Sequence, residues 1–492
     1  MEKNDIKNLK PEKVFKFFLD ICDIPHGSGN LDGIVNYLVN FAKDRQLRYI
    51  TDDAKNVIIY KDGTSSISTN HKGKNFEPVI LQAHTDMVAV KTIDSKKDLT
   101  KDAIEPYVDG NILKARDTSL GADDGIGVAL ILAILDDNTG SYPPIEALFT
   151  SEEETGMNGA IAIDGKLFNG KKLVNIDSEN EEELTVSCCG GSHLESTFPI
   201  SREERSNQVI YSVKISNLLG GHSGMEIHKG RANAITEIAY TLKEMLDNNI
   251  DFSLIKVEGG QFENVICQET TSDICVNLKD EDKFLSIIKR INDDLKVEYR
   301  LSDKDISLSA VKKESSDTVP FTKESTKKLI DTIFKLPQGL IEISQEFANL
   351  PWTSLNHGVI HTEDKEVNLV TFVRSNDDIK RIKLVKKCRS IIEDGGGELK
   401  VSGEYPAWQY KKDSKLKDDM LHLYKELNGK DMKVIATHGG LECGLLMEKI
   451  PGLEAVSIGP TIENVHSVDE RLHIDSVDKT YRFLKTFLQR QC

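Results

Sequence analysis

Metal-capable side chains recur at five places in this 492-residue sequence, each beside a short apolar segment. The five segments read QAHTDMV, LGADDGIG, TSEEETG, NIDSEN and GPTIENVHSVDE. They supply two histidines and a set of carboxylates: His84, Asp86, Asp123, Asp124, Glu152, Glu153, Glu154, Asp177 and His466. Imidazole and carboxylate ligands without a thiolate suit divalent ions such as Zn²⁺, Mn²⁺ or Co²⁺. The sequence therefore predicts a metal centre.

Each segment also has an ordinary structural interpretation when it is considered alone. An HxD pair is common at a strand end, and a run of glutamates is typical of a solvated loop. The ADDG segment is typical of a helix N-terminus with acidic residues near the dipole. Together, however, the segments follow successive apolar strands, and open α/β sheets bind their ligands beyond the carboxyl ends of strands. Their combination favours the metal site.

The elements that must position these side chains belong to two kinds of sequence. Short apolar runs separated by helical stretches predict a mostly parallel sheet with helices on both faces. Residues 125–135 are apolar almost all round and predict a buried helix. The predicted strands are 56–60, 78–82, 145–150 and 172–176. The fold class of this part is therefore α/β.

From residue 192 to residue 403 the strands alternate apolar and polar residues, which predicts an antiparallel α+β domain. An order of strand, helix, two strands and helix begins at QVIYSVKIS and recurs from ISLSAVKK, which suggests a duplicated subdomain. The first pattern returns after this stretch. We therefore expect a discontinuous first domain, 1–191 and 404–492, with 192–403 inserted into it.

Composition excludes several classes of protein. Lys plus Arg number 63 against 80 Asp plus Glu, a formal charge of −17, which argues against nucleic acid or an anionic membrane as partner. No apolar run is long enough to span a bilayer, and the first residues lack an apolar signal core. The eight cysteines are scattered, which indicates reduced thiols. We expect a cytoplasmic protein.

The segments AHTDMV, TSLGADDGIG, SEEETGMNGA, NIDSE, GGHSG and SIGPTIENVHSVDE resemble the two-zinc dipeptidase and aminoacylase family, and within it the bacterial aminoacyl-histidine dipeptidases. The resemblance implies that 1–191 with 404–492 is the catalytic domain and 192–403 a lid. It also implies two divalent ions, with zinc expected first and manganese or cobalt as alternatives. The implied ligands are Asp123 as the bridge, His84 and Asp177 for one ion, and Glu154 and His466 for the other.

The resemblance further implies the catalytic and substrate-binding residues. A water that bridges the ions is the nucleophile, and Glu153 is its general base. Asp86 would orient His84, a cis peptide would follow Asp123, and His222 would stabilise the oxyanion in its own or a neighbouring active site. The implied substrate-binding residues are Asn264, Arg374, Gly439 and Glu442, of which Arg374 suits a free carboxylate and Glu442 an amino group.

These features predict a metal-dependent dipeptidase acting on small peptides, either of Xaa-His type or of broad specificity. One alternative is an amidohydrolase of N-acyl or N-succinyl amino acids with the same two-metal site. Another is a non-catalytic binding protein on the same fold, although an intact set of ligands and base argues against it. Nucleic acid and membrane are not expected as partners, and a monomer and a homodimer both remain open.

Overall fold

The computed structural model describes residues 6–64, 76–316 and 318–492. The chain divides into two compact units. The first unit comprises Met1–Ser187, Tyr410–Ala436 and Leu441–Cys492, and the second comprises Cys188–Gln409 and Thr437–Gly440. Which part is catalytic and which is a lid stays a prediction at this point. The grouping of Thr437–Gly440 with the second unit is a feature that the sequence did not indicate.

The elements of the first unit are labelled in chain order along the whole protein. Its helices are α1 (Glu12–Cys22), α2 (Asp32–Asp44), α3 (Ala122–Leu135), α4 (Asn158–Ala162), α9 (Lys415–Asn428), α10 (Cys443–Lys449) and α11 (Ile474–Gln489). Its strands are β1 (Arg48–Thr51), β2 (Val57–Lys61), β3 (Val79–His84), β4 (Pro106–Asp109), β5 (Ile112–Ala115), β6 (Ile145–Thr150), β7 (Lys172–Asn175), β8 (Glu183–Thr185), β18 (Lys433–Ile435), β19 (Glu454–Ser457), β20 (Ile462–Glu463) and β21 (Arg471–His473).

The main sheet of the first unit has the strand order β1-β2-β6-β3-β7-β19-β8-β18. Strands β6, β3, β7 and β19 are parallel, whereas β1, β2 and β6 pair in antiparallel fashion, as do β19 and β8. Every residue of β2, β3 and β6 is buried, as expected for strands covered on both faces. The four predicted strands are confirmed, and the predicted α/β class with them.

Helix α3 contains the predicted buried helix. Its residues from Gly125 to Leu135 are all buried, because an all-round apolar surface is stable only inside the core. Helix α3 packs against α1 and β3. A second, antiparallel sheet of order β20-β21-β5-β4 completes the first unit. Within the described residues, no helix of either unit has the length and apolar character needed to cross a membrane.

The second unit is a nine-stranded antiparallel sheet with helices, in agreement with the predicted alternation. Its order is β13-β10-β12-β11-β15-β16-β9-β17, and β14 pairs with β15. Its strands are β9 (Gly190–Pro199), β10 (Gln208–Ser216), β11 (Phe252–Gly259), β12 (Thr270–Asn277), β13 (Ser307–Lys313), β14 (Gly339–Ile343), β15 (Pro351–Thr362), β16 (Glu366–Ser375) and β17 (Glu398–Tyr405). Its helices are α5 (Ala234–Asp247), α6 (Glu281–Glu298), α7 (Lys323–Lys335) and α8 (Asp378–Asp394).

The strand order reveals two nested copies of one βαββαβ unit. One copy is β10-α5-β11-β12-α6-β13, and the other is β9-α7-β15-β16-α8-β17. Their strands lie in the orders β13-β10-β12-β11 and β17-β9-β16-β15, so equivalent strands occupy equivalent places. The first copy is inserted between β9 and α7 of the second. Reading along the sequence starts the second copy at β13 and so makes β13 the equivalent of β10, whereas the equivalent of β10 in the structure is β9. A comparison along the chain cannot detect that one copy is inserted within the other.

Candidate metal centre

Three neighbouring strands of the first unit bring predicted ligands to one edge of its sheet. Strand β3 ends at His84, β6 is followed by Glu153 and Glu154, and β7 is followed by Asp177. Because β6, β3 and β7 are parallel, their carboxyl ends lie at the same edge. The sheet topology therefore explains why residues far apart in the sequence meet.

Two further elements complete the cluster. Asp123 lies at the start of α3, and His466 lies in the loop after β20. Three sets of residues have ligand atoms within 4.8 Å of one another, namely His84 with Asp123 and Asp177, Asp123 with Glu154 and His466, and His84 with Glu153 and Glu154. The structure thus brings together all five ligands implied by the resemblance, as well as Glu153.

The carboxylate of Asp123 lies between the two histidines. Its Oδ1 atom is 3.1 Å from His84 Nε2, and its Oδ2 atom is 3.1 Å from His466 Nε2. His84 Nε2 is also 3.6 Å from Asp177 Oδ1, and His466 Nε2 is 2.9 Å from Glu154 Oε1. One oxygen of Asp123 therefore lies beside His84, which is near Asp177, and the other lies beside His466, which is near Glu154.

These distances fit two metal ions that share Asp123. Two donor atoms that are each about 2.0–2.1 Å from one tetrahedral zinc ion lie about 3.3 Å apart. The four distances between donor atoms given above range from 2.9 to 3.6 Å and include this value. His84 Nδ1 is 2.9 Å from the backbone oxygen of Asp86, and donating to it leaves the lone pair of Nε2 for a metal. Glu154 Oε1 is buried and makes no hydrogen bond of good geometry in the described residues, as expected for a metal-directed oxygen.

Negative charge in the cluster favours a bound cation. Burial opposes protonation of His84, yet the carboxylates of Asp177 and Asp123 raise its pKa well above the usual value. Burial likewise opposes protonation of His466, and Asp123 and Glu154 raise the pKa of this imidazole to about 11. The donor set therefore stabilises positive charge, which metal ions can supply in place of protons.

Asp86 anchors the loop that carries the base and one ligand. Its carboxylate accepts hydrogen bonds from the backbone N–H groups of Glu153, at 3.0 Å, and Glu154, at 3.2 Å. It also accepts one from Ser28 Oγ at 2.8 Å, and its Oδ1 lies 3.6 Å from His84 Nδ1. The contact of Asp86 with His84 is thus made mainly through its backbone oxygen, and its carboxylate holds the glutamate loop.

Asp124 follows the predicted cis peptide bond, which the structure contains between Asp123 and Asp124. The carboxylate of Asp124 accepts the backbone N–H of His84 at 3.1 Å. Burial raises the pKa of Asp124 well above its usual value, and the charge of Asp177 adds to this effect. In the described residues, Asp124 is absent from the groups that could hold a metal, and it supports the end of β3 instead.

Glu153 is a half-buried carboxylate next to the ligand donors. Burial raises the pKa of Glu153 well above its usual value, and the negative charges of Glu154 and Asp177 act in the same direction, whereas His84 opposes them. A carboxylate that binds a proton more readily than usual is suited to accept one and to pass it on.

Glu442 is fully buried in a polar network beneath the ligand-bearing strand ends. Its Oε2 accepts hydrogen bonds from Gln82 Nε2 and Thr150 Oγ1, both at 2.6 Å, and Asn175 Nδ2 donates to Gln82 Oε1 at 2.6 Å. Burial raises the pKa of Glu442 to about 8. Its Oε1 has no hydrogen-bond partner in the described residues. Contact with a substrate amino group stays a prediction.

The other four predicted site residues lie in the second unit. The Nδ1 atom of His222 accepts the N–H groups of Gly224, at 3.3 Å, and Met225, at 3.1 Å, which leaves Nε2 as the protonated nitrogen of a neutral ring. The backbone oxygen of Asn264 accepts the N–H of Ser223 at 2.8 Å, so the loops that contain His222 and Asn264 are paired.

Arg374 is buried, with a relative exposure of 6%, at the end of β16. Its Nη1 atom is 3.4 Å from Tyr405 Oη and 3.8 Å from Cys189 Sγ, and its Nε atom has no hydrogen-bond partner in the described residues. No carboxylate of the described residues forms an ion pair with this guanidinium group. The backbone oxygen of Gly439 accepts the N–H of Cys189 at 3.2 Å.

Comparison with known proteins assigns the family. A family model described as "Peptidase family M20/M25/M40" matches residues 80–490. The chain belongs to this family. The predicted family, α/β fold class and metallopeptidase class are therefore confirmed.

Two relatives are similar to this M20 peptidase over nearly their whole length. The cytosol non-specific dipeptidase of Escherichia coli (strain K12) is 34% identical over 487 residues, which cover 99% of both chains. The crystal structure of aminoacylhistidine dipeptidase from Vibrio alginolyticus matches with a TM-score of 0.85 and 33% identity, covering 99% of this chain and 98% of that one. Aminopeptidase PepT from Bacillus cereus, at 14% identity and a TM-score of 0.56, shares the fold.

Sequence reasoning missed residues that hold other site residues of this M20 peptidase in place. Ser28 and Gln82 reach the site through hydrogen bonds to Asp86 and Glu442. Their local segments contain no signal for these contacts, since both partners lie far away in the sequence. Glu470, four positions after His466 in the segment HSVDE, also contacts the site, and its position in the sequence does not indicate this contact.

Proposed function

We propose that this M20 peptidase is a two-metal dipeptidase. His84, Asp123 and Asp177 would hold one divalent ion, and Asp123, Glu154 and His466 the other. The observation that carries the proposal is the position of Asp123, with one carboxylate oxygen 3.1 Å from each imidazole. Zinc suits this set of nitrogen and oxygen donors, and manganese and cobalt are the alternatives.

The chain's own residues supply acid and base chemistry to the reaction. Two bound ions would acidify a water molecule and polarise the scissile carbonyl. Glu153 accepts the proton of the attacking water and delivers it to the leaving amine. Asp86 positions Glu153, because the Asp86 carboxylate accepts a hydrogen bond from the backbone N–H of Glu153. His222, a neutral ring protonated at Nε2, donates a hydrogen bond to the oxyanion.

The substrate is a small peptide with a free carboxylate. Arg374 would bind this carboxylate, because its buried guanidinium group forms no ion pair within the described part of the chain and would gain one from an incoming anion. Asn264 and Gly439 would contribute further polar contacts, and Glu442 would meet the amino group. The names of the E. coli and Vibrio relatives support dipeptides as substrates, either broadly or with a C-terminal histidine.

The same proposal covers the organisation of the protein. The first unit would be the catalytic domain, and the second unit, which includes Thr437–Gly440, would be a lid that limits the length of the substrate. A cytoplasmic location is supported by the name of the E. coli relative. Both a monomer and a homodimer are compatible with this proposal.

A dipeptide panel tests the proposed function. Chelator-treated protein is assayed with Zn²⁺, Mn²⁺ or Co²⁺ on Xaa-His and other dipeptides, with N-acetylated and C-amidated versions as controls. We expect hydrolysis of the unblocked dipeptides, and loss of hydrolysis in Asp123→Asn. Failure to cleave any dipeptide with any of the three metals would contradict the proposal. Hydrolysis of the N-acylated compounds alone would support an N-acyl amino acid amidohydrolase instead.

A further inference from the structure

Four consecutive backbone N–H groups converge on the carboxylate of Glu470. Its Oε2 atom accepts the N–H groups of Leu120, at 2.7 Å, and Gly121, at 2.9 Å. Its Oε1 atom accepts those of Ala122, at 2.8 Å, and Asp123, at 3.2 Å. The last of these groups belongs to the residue that would bridge both metals.

Few groups other than Glu470 could accept hydrogen bonds from these four N–H groups. They lie at the start of α3, where backbone donors have no partner within the helix. The residue before the helix is Gly121, in a left-handed conformation with φ of 66°, and it has no side chain to cap the helix. Glu470 is only 2% exposed and Leu120 is fully buried, so bulk water does not replace a lost acceptor.

Glu470 also belongs to the segment that carries His466. Within this segment, the N–H of Glu470 bonds to the backbone oxygen of Ser467 at 3.3 Å, and the N–H of Asp469 bonds to Ser467 Oγ at 3.1 Å. One carboxylate therefore joins the loop of one metal-directed histidine to the backbone of the shared aspartate.

We infer that Glu470 is a positioning residue of the metal centre, which fixes the backbone of Asp123 relative to the segment that carries His466. The inference rests on the proposed two-metal site. Glu470 acts through Asp123 and His466. Groups that orient metal ligands in this way contribute about 10- to 100-fold to metal affinity.

A second buried carboxylate of the same unit provides a matched control. Glu146 on β6 is 4% exposed, and it accepts the backbone N–H groups of Asn169 and Gly170 at 3.0 Å. It therefore resembles Glu470 in burial and in binding backbone donors. The loop that it holds contains none of the proposed metal ligands.

The test compares Glu470→Gln with Glu146→Gln. Zn²⁺ affinity of the metal-free proteins is measured by competition with a chromophoric chelator, and the visible spectrum of the Co²⁺ forms reports ligand geometry. We expect Glu470→Gln to lose about 10- to 100-fold in affinity for at least one ion and to change the Co²⁺ spectrum. Glu146→Gln should keep the affinity and the spectrum of the unmodified protein, even where both variants lower the melting temperature.

Three results would overturn the inference. Glu470→Gln could bind both ions as tightly as the unmodified protein, or both variants could lose the same affinity, which would show general destabilisation. Should Glu470→Gln fail to fold, Glu470→Asp takes its place, because the shorter side chain keeps the charge but cannot reach all four N–H donors. Metal affinity equal to that of the unmodified protein in Glu470→Asp would also contradict the inference. Absence of metal binding in the unmodified protein would instead refute the proposed function itself.

Discussion

At the scale of single residues, the proposed function gives the two adjacent glutamates after β6 different roles, metal binding for one and proton transfer for the other. Glu154 Oε1 faces His466 Nε2 at 2.9 Å and belongs to the proposed ligands. Glu153 is held at the same loop by the hydrogen bond from its N–H to Asp86, and burial raises its pKa. Neighbouring carboxylates in different surroundings can thus serve different purposes.

Removing the proton carrier should impair catalysis without removing the metal. For Glu153→Gln we expect kcat to fall about 10²- to 10⁴-fold, which is the usual contribution of a general base. The metal content, measured by elemental analysis, should stay at the level of the unmodified protein. Glu152→Gln is the control, because the Glu152 side chain bonds to Gly29 N and Thr155 Oγ1, and Glu152 is absent from the metal groups of the described residues. Equal activity losses in both variants would contradict this assignment.

At the scale of elements, the existence of the strands and of the buried helix was the predictable part, although the predicted helix, 125–135, begins three residues later than α3 does at Ala122. Strand β6 was predicted with both of its observed ends, Ile145 and Thr150, because a short apolar run with a clear border is a strong local signal. The ligands were identified from a resemblance. Their convergence follows from parallel strands, a property of the sheet as a whole.

Contacts between distant segments could not be predicted. The hydrogen bond from Ser28 to Asp86 joins residues 58 positions apart, and that from Leu120 to Glu470 joins residues 350 positions apart. Periodicity reports burial within one element and says nothing about which distant residue satisfies a buried polar group. For the same reason, the sequence alone matched the wrong strands of the two copies in the second unit.

Arg374, near the end of β16, should bind the carboxylate of the substrate. A lysine retains the charge but lacks the planar pair of donors, so Arg374→Lys should raise KM for dipeptides about 10- to 100-fold, equivalent to the roughly 1.5–3 kcal/mol of a charge-assisted hydrogen bond. C-amidated dipeptides should show little difference between the two proteins. Arg389→Lys is the control, because the Arg389 side chain is 41% exposed. An unchanged KM in Arg374→Lys would show that another group binds the carboxylate.

Strand β15 contains a histidine that should make the second unit sensitive to acid. Burial lowers the pKa of His357 from 6.5 to about 4, and its Nδ1 atom lies 2.9 Å from Thr371 Oγ1. Below pH 6.5 the unfolded chain takes up a proton that the folded unit excludes. The free energy of unfolding should therefore fall by up to about 1.4 kcal/mol per pH unit between pH 6.5 and pH 4.

Tryptophan fluorescence can follow this effect, since both tryptophans, Trp352 and Trp408, belong to the second unit. In His357→Gln, the melting temperature should depend less on pH between pH 6.5 and pH 4 than in the unmodified protein. His361→Gln, at a position on the same strand whose side chain is 53% exposed, should retain the full dependence. Parallel pH curves for the unmodified protein and His357→Gln would contradict the prediction.

At the scale of the whole molecule, a strongly acidic chain concentrates carboxylates where they can bind cations. The formal charge is −17, and the five proposed ligands at the sheet edge are three carboxylates and two histidines. Two dications would leave these five ligands with one net positive charge, which favours a polarised carbonyl and an acidified water. Metal binding is therefore the step on which the proposed activity depends.

Anomalous X-ray diffraction from crystals grown with zinc, recorded on both sides of the zinc absorption edge, tests this claim most directly. We predict two anomalous peaks about 3.5–4 Å apart on either side of the Asp123 carboxylate. One peak should contact His84 and Asp177, and the other Glu154 and His466. A fully loaded crystal with a single peak, or with peaks that do not share Asp123, would contradict the account.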